Sequence, residues 1–462
     1  TSANSLYLNN GTITDAAGNP AVITLPEPGS QNSLGGNRDI VVDGIAPVVL
    51  SVSSSSDNGI YKINDDIFID IHFSQHVSVS GTPYINLETG ANNGRAYYNS
   101  GSNTNKLRFK YNISSGHYSN DLEYISGSNA LYGTIRDASY NSVIKDLPAL
   151  GSQNSISGSS DIIIDGIIPT VTGVTSTAPD STYKIGDVID IQINFSESID
   201  VTGTPQLTLE TGVNDAVIDY ISGSGGGDSL LFRYTVSSGH ASIDLDYQSI
   251  TSLSLNGGTV KDIARNPANL NLFSPDSTGS LAANKTIVVD GIIPEATSVS
   301  FVSNNPNLTS IAGPEEIVTL SLTTSEAIKT PTVTIGDVNA TVTGNNTSWS
   351  ISRTMSSNDV SGNIVFTIDY VDLAGNSGIQ ITSSTDGSAV IFDKTPPLIT
   401  NVTSITPNGI YIVGQELTLS INFNELVKVT GSPLLQLETG EIDRSASFHS
   451  ANYQVDSSIV FI

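Results

Sequence analysis

The stretch IIIDGIIP, Ile162–Pro169, decides how this chain is organised. Near-copies recur as IVVDGIAP at Ile40–Pro47, IVVDGIIP at Ile287–Pro294 and IFDKTPP at Ile391–Pro397. Each opens on a run of branched apolar residues, which signals a strand. An Asp follows, then Gly or Lys, and within a few residues a Pro that cannot donate to a sheet ladder. The phrase reads as the last strand of one unit, a very short linker, and the first strand of the next.

The spacing of other markers supports a repeat. Asp43, Asp165, Asp290 and Asp393 lie 122, 125 and 103 residues apart, and Asp15, Asp137 and Asp262 keep the same 122 and 125. Tyr61, Tyr183 and Tyr411 open one shared phrase, and Glu88, Glu210 and Glu438 close it as LETG. A fixed period fixes the architecture before any single element is argued. The expected division is 1–43 (the C-terminal part of a truncated repeat), 44–165 and 166–290 (two full repeats), 291–393 (a shorter variant) and 394–462 (the N-terminal part of a repeat). On this reading the sequence is a window on a longer tandem array. The sharper alternative completes the last half-repeat with N-terminal strands from another copy, giving a head-to-tail fibre by strand addition.

Composition narrows the class. Of 462 residues, 18 are Lys or Arg and 45 are Asp or Glu, a formal net charge of −27. That balance argues against nucleic acid and anionic membrane surfaces as partners, since both recruit basic patches. It suits an extracellular protein that holds cations. There is no Cys, so disulfides and thiolate metal sites are excluded. No run of about 18 apolar residues occurs, so no membrane-inserted helix is expected in this segment.

Short alternating strands are written throughout. Ile189, Ile191, Ile193 and Phe195 alternate with Asp190, Gln192, Asn194 and Ser196, one face buried and one wet. Ile67, Ile69, Ile71 and Phe73 form the equivalent inward set, as do Leu417, Leu419, Ile421 and Phe423. A Gly-Thr-Pro turn follows at Gly81–Pro83 and Gly203–Pro205, and later strands are expected at Leu107–Ile113 and Leu230–Val236. The fold class is all-β: tandem immunoglobulin-like Greek-key β-sandwiches placed end to end. Trp349, the only Trp, reads as a core anchor of the 291–393 unit.

At these phrases the chain resembles a known family. TYKIGDVIDIQINFSESIDVTGTPQLTLETG (Thr182–Gly212), SLNGGTVKDIARNPANL (Ser254–Leu270) and VVDGIIP are similar to the tandem Ig-like repeats of large bacterial surface proteins and adhesins. The 291–393 unit, with VDLAGN and FDKTPP, resembles the bacterial Ig-like repeats of giant non-fimbrial adhesins. The resemblance implies a secreted or cell-surface protein, sandwiches in a row, and often Ca²⁺ at the junctions.

The residues make the same case for a cation. In an Ig-type sandwich the start of the first strand, the B–C loop and the F–G loop gather at one end. The linker Asp precedes the first strand, the Glu of a Phe-Ser-Glu step is expected to open the B–C loop, and an Asp-x-x-x-Asn pentad falls in the F–G loop. For 166–290 the set is Asp165, Glu197, Asp262 and Asn266; for 291–393 it is Asp290, Glu326, Asp372 and Asn376. The last repeat offers Asp393 and Glu425. The 44–165 repeat offers Asp43, Asp137 and Asn141, but Gln75 stands where the Glu belongs, which should weaken that site. Asp15 and Asn19 would serve the first, truncated copy. Ca²⁺ takes six to eight oxygens from such donors. The competing explanation is a plain hairpin turn, which favours Asp, Asn and Gly for backbone reasons; it does not account for an Asp at every linker.

Other chemistry is poorly supported. His117 and His240 occupy equivalent Ser-Ser-Gly-His turns, a structural tip rather than a zinc site, since no second His lies at ligand spacing. The LETG acids lack a tracking partner carboxylate for glycosidase work, and no nucleophile elbow or phosphate loop occurs. The expected protein is a non-enzymatic structural or adhesive array, a calcium-stiffened rod or fibre on a bacterial surface that meets a cell-surface receptor, a glycan or copies of itself. The alternatives are a self-assembling filament or sheath subunit and an array of carbohydrate-binding modules. The last needs exposed aromatics on one face, for which an aromatic content of 6% gives little encouragement.

Overall fold

A computed structural model describes residues 2–127, 129–223, 226–449 and 456–462. Thr1 and residues 450–455, which the sequence reading assigns to the two end segments, lie outside the described residues. The chain is almost entirely β, built as several sheets of mostly antiparallel strands. Its helices among the described residues are single turns, Leu34–Asn37 and Leu281–Asn284, each started by a Ser whose hydroxyl accepts a backbone N–H three residues on. Among the described residues no helix is long and apolar enough to cross a membrane.

Burial follows the alternation of the sequence. Ile67, Ile69, Ile71 and Phe73 are fully buried, as are their counterparts Ile189, Ile191, Ile193 and Phe195. The buried apolar side chains form four clusters whose members span 52–164, 171–289, 299–392 and 421–461. Trp349 packs within the third and donates its indole N–H to the Asn346 carbonyl at 3.2 Å. The second face is not uniformly wet. Asp70 is buried there, and a paired Arg108 fork and the Lys106 ammonium, at 2.8, 2.9 and 2.7 Å, outweigh the cost of burial and hold its carboxyl below the usual range.

One strand carries each full repeat. In the first, Asp66–Glu88 pairs antiparallel with Val49–Ser54, Gly94–Ser100, Thr104–Asn112, Glu123–Tyr124 and Leu131–Arg136. In the second, the equivalent stretch is divided at Gly203–Pro205 into Val188–Thr202 and Gln206–Glu210. The expectation that Phe195-Ser-Glu197 ends its strand is corrected here. The strand runs on to Thr202, and the ladder with Gly227–Thr235 slips between Asn194 and Ile199. Glu197 sits in that irregularity, which re-aims a side chain without ending the strand. In the 291–393 segment the strand Ile317–Thr324 does stop just before Glu326.

The linker phrase is a strand wherever it has a partner. Ile162–Asp165 pairs in parallel with Gly59–Lys62 and antiparallel with Tyr118–Ser119; Ile287–Asp290 repeats this with Ser181–Lys184 and Ala241–Ser242. Ile391–Phe392 pairs in parallel with Ile311–Ala312. The copy at Ile40–Asp43 is not a strand, and Val41 and Val42 are exposed. Its counterparts pair with an earlier strand of their own segment, and residues 2–39 contain no strand to take that part.

Candidate metal site

Two of the predicted acid sets come together. Asp165, Glu197 and Asp262 each present a carboxylate oxygen, all within 4.8 Å of one another; Asp290, Glu326 and Asp372 do the same. In each trio the pentad Asp is buried and the other two acids are half-buried. Asp165 ends the strand Ile162–Asp165, and its Oδ1 accepts the Ile167 N–H at 3.2 Å, a turn that fixes the linker. Asp290 does the same with Ile292 at 3.2 Å. Asp262 follows the strand Thr259–Lys261 and accepts the backbone N–H of Asn266 at 2.7 Å and its side-chain amide at 2.8 Å. Asp372 grips Asn376 in the same way, at 2.8 Å for both contacts.

The third acid is the informative one. Glu197 Oε1 and Glu326 Oε1 are buried without a hydrogen-bond partner among the described residues. No Lys or Arg forms an ion pair with any of the six acids among those residues. Burial, then the neighbouring charges of Asp165 and Asp262, push the Glu197 carboxyl up to about 7. Asp165, Asp290 and Glu326 are raised for the same reasons, burial first. Three like charges at this distance, with one oxygen lacking any donor, are costly unless a proton or a cation is shared among them.

The Asn of each pentad has a different task from the one expected. An amide nitrogen only donates and an amide oxygen only accepts, so its partners fix its orientation. Asn266 Nδ2 donates to the Asp262 carboxylate, to the Asp165 carbonyl at 2.9 Å and to the Ile167 carbonyl at 3.3 Å. Its Oδ1 accepts the Ile63 N–H at 3.0 Å, from the preceding segment. Asn376 repeats the pattern with Asp290 at 2.8 Å and the Ile185 N–H at 2.9 Å. These oxygens accept backbone donors across the joint, so Asn266 and Asn376 act as staples between the two segments. Asn141 likewise donates to the Asp43 carbonyl at 3.0 Å and to Asp137 at 2.9 Å.

The remaining sets do not form a trio of acids among the described residues. At the first joint Gln75 Nε2 donates to the Ile45 carbonyl at 3.0 Å, and Asp43 Oδ2 accepts the Ser139 hydroxyl at 3.0 Å. Asp137 there accepts the Asn141 N–H at 2.8 Å. A neutral side chain with its own partner thus stands where Glu197 and Glu326 carry an unpartnered oxygen. At the last joint Glu425 Oε1 again lacks a donor among the described residues, and burial, then the charge of Asp393 and a carboxyl–carboxylate hydrogen bond with it, raise its carboxyl. Asp15 and Asn19 form the isolated pentad turn. Asp15 is exposed, and the Asn19 side chain and the turn's N–H groups hold its carboxyl low.

Sequence reasoning missed what grips the linker glycine. Gly166 N–H donates to the His117 carbonyl at 2.7 Å, and its own carbonyl accepts the Gly116 N–H at 2.7 Å. A Cβ there would lie 2.5 Å from the Ser114 oxygen and 2.7 Å from the His117 oxygen. Gly291 meets Ser237 and His240 in the same way. The imidazoles brace these turns through Tyr111–His117 and Tyr234–His240 contacts at 2.7 and 2.9 Å. The matched positions of His117 and His240 in the repeat were the available signal.

No protein-family model matches the chain, and no curated protein matches it. Among solved structures, the chain is similar to SGBP-B of the Bacteroides ovatus mixed-linkage glucan utilization locus, in complex with a mixed-linkage heptasaccharide, at 11% identity and a TM-score of 0.14, over 80% of this chain and 76% of that one. A superposition of that quality carries no argument about fold or ligand.

Proposed function

We propose that this chain is a non-enzymatic extracellular array of immunoglobulin-like sandwich modules, a structural or adhesive rod whose joints are held by Ca²⁺. The observation that carries the reading is the trio Asp165, Glu197 and Asp262, repeated as Asp290, Glu326 and Asp372. Each draws its acids from the linker, from the central strand or the residues just after it, and from the pentad loop. The fit is chemical: hard carboxylate oxygens, no nitrogen or sulfur donor, and one buried oxygen per trio with no protein donor. Asp165, Glu197 and Asp262 would hold one ion, and Asp290, Glu326 and Asp372 another. A bound Ca²⁺ supplies the positive charge that neutralises the acids and ties the linker to the body of the module. The chain's own residues already restrict the joint, since Asn266 and Asn376 bond to backbone on both sides of it.

A net charge of −27 suits a bacterial-surface protein that gains order from cations. The test is small-angle scattering and calorimetric titration of the full chain with Ca²⁺ and with chelator. The expected result is two tight sites and a longer, better-defined particle in Ca²⁺. An identical profile in chelator, with no heat of binding, would overturn the reading.

A further inference from the structure

The repeat supplies its own control for telling scaffold from site. Tyr61, Tyr98, Tyr111 and Tyr124 each have a Tyr at the matching place in the second full repeat. In the first repeat each is tied down, Tyr61 to the Asp57 carbonyl, Tyr98 to the Ser102 N–H, Tyr111 to His117 and Tyr124 to the Pro148 carbonyl. Five other tyrosines of the 44–165 repeat have no such match; Tyr118 and Tyr140 stand apart, where the next repeat has Ala241 and Arg265, and the remaining three are gathered by the sheet. Tyr84 stands directly opposite Tyr97 on one neighbouring strand and Tyr132 on another. The same register in the next repeat places Gln206 opposite Asp219 and Ser254. In the last repeat the pair is Leu434 and Ser447. The scaffold therefore does not need aromatic rings here, yet one copy has three.

These rings form one exposed patch. Tyr84 and Tyr132 stack with centroids 5.0 Å apart and planes 9° from parallel, and Tyr97 leans on Tyr84 at 5.9 Å. The Arg95 guanidinium lies 4.8 Å from the Tyr84 ring centre, where the next repeat has Val217. Tyr97 and Tyr132 are 49% and 37% exposed, and among the described residues none of the three hydroxyls has a protein hydrogen-bond partner. Arg95 and Tyr97 continue into an open cleft of about 650 Å³ that Asn93, Asn99, Lys110 and Asn112 also line.

We infer that this face of the 44–165 repeat, centred on Tyr84, Tyr97, Tyr132 and Arg95, binds a neutral oligosaccharide. The C–H faces of a pyranose ring carry slight positive charge and suit the negative face of an aromatic ring. Its hydroxyls need the mixed donors and acceptors that phenols, amides and a guanidinium provide. A polyanion would ask for several unspent cations, but Lys110 is already paired with Asp66 at 2.8 Å, which leaves Arg95 alone in a chain of net charge −27. The site stands whether or not the joints hold calcium.

The experiment screens the full chain on an array of neutral α- and β-linked oligosaccharides, in Ca²⁺ and in chelator, then measures Kd for the glycans retained. The variant Tyr84→Gln/Arg95→Val/Tyr97→Asp/Tyr132→Ser carries what the next repeat holds at these positions, so its fold is already precedented. The expected result is retention of at least one glycan in both buffers and a loss on the order of tenfold or more in the variant. Tyr97→Ser alone alters a single exposed ring and repeats the comparison if the fourfold variant melts early. Failure to retain any neutral glycan, or retention unchanged by both variants, would overturn the inference. So would a wild-type self-association that the variants abolish, since the face would then belong to a second copy.

Discussion

The side-chain oxygen of Asn266 accepts a hydrogen bond from the backbone N–H of Ile63, 203 residues earlier in the chain, at 3.0 Å. The same amide donates to the Asp165 carbonyl in the linker at 2.9 Å. One side chain therefore bonds to both the body of the preceding repeat and the strand leading out of it. Removing it by Asn266→Ala leaves the Ile63 N–H and the Asp165 carbonyl without their partners. The expected cost is about 1–3 kcal/mol at that joint. Denaturant unfolding with limited proteolysis should show a less stable 166–290 unit and faster cleavage near Ile167. Unchanged melting and cleavage would show that the staple does not bear on the joint.

Gln75 and Glu197 occupy matching positions, but only Gln75 has a protein partner, the Ile45 carbonyl at 3.0 Å. Glu197→Gln imports the solution found at the first joint. Without metal the variant should melt higher than the wild type, because a repelled, partnerless oxygen is replaced by a donor. Titration with Ca²⁺ should then find one site fewer. A variant that keeps both sites would remove Glu197 from the ligand set.

The pH dependence has a definite sign. In the folded chain the Glu197 carboxyl is pushed from 4.5 to about 7, so the folded state keeps a proton that the unfolded chain releases between those values. In chelator, stability should rise as pH falls from about 7 toward 4.5 and be lost on the way back up. Asp165, Asp290 and Glu326 are shifted in the same direction and reinforce the trend. Ca²⁺ binds only the deprotonated acids, so in excess Ca²⁺ acidification should lower the melting temperature. Thermal scans at pH 7.5 and 5.5 in the two buffers read this directly. Parallel slopes would mean that the trios do not exchange protons for metal.

The repeat period and the alternation of Ile189, Ile191, Ile193 and Phe195 were legible because each reflects a rule local to the chain. The acids that meet at a joint were legible too, since a carboxylate recurring at four linkers is unusual without a charge to answer it. The task of Asn266 was not, because a pentad looks the same whether its amide faces an ion or the Ile63 backbone. The placement of Glu197 was also missed. Phe-Ser-Glu reads as a strand end, and only the pairing of Asp200–Thr202 with Thr259–Lys261 carries the strand past it. The tyrosine patch escaped notice because Tyr84, Tyr97 and Tyr132 are far apart in sequence, and only the ladder registers make them neighbours.

The fourth pentad position takes a left-handed backbone conformation: Gly18 and Gly375 hold it at φ 89° and 108°, but Tyr140 and Arg265 hold it at 66° and 76°. A residue with a Cβ gives up about 1 kcal/mol there, partly offset by the greater freedom that Gly has in the unfolded chain. Arg265→Gly should leave stability equal or higher by up to about 1 kcal/mol, an unusual result for a change to Gly. A clear loss in denaturant unfolding would show that the Arg265 side chain contributes packing at the joint beyond its backbone strain.

Gly166 is constrained by space and not by backbone angle. Its φ is not left-handed, yet a Cβ would fall 2.5 Å from the Ser114 oxygen and 2.7 Å from the His117 oxygen. Both contacts are backbone, in a turn that exchanges two hydrogen bonds with Gly166 itself and is braced by the Tyr111–His117 pair. The atoms cannot rotate away as a side chain would, so Gly166→Ala must part the linker from the turn. The expected loss is about 2 kcal/mol or more, from two backbone bonds and the overlap together. Gly44→Ala is the matched control, because nothing lies within 4 Å of that position. Equal melting of the two variants would show that the grip on the linker is slack; a drop confined to Gly166→Ala would explain why Gly follows Asp at the two linkers, Gly166 and Gly291, that a turn grips in this way. The last linker carries Lys394, whose ammonium donates instead to the Ser357 and Asp359 carbonyls at 3.1 and 2.8 Å.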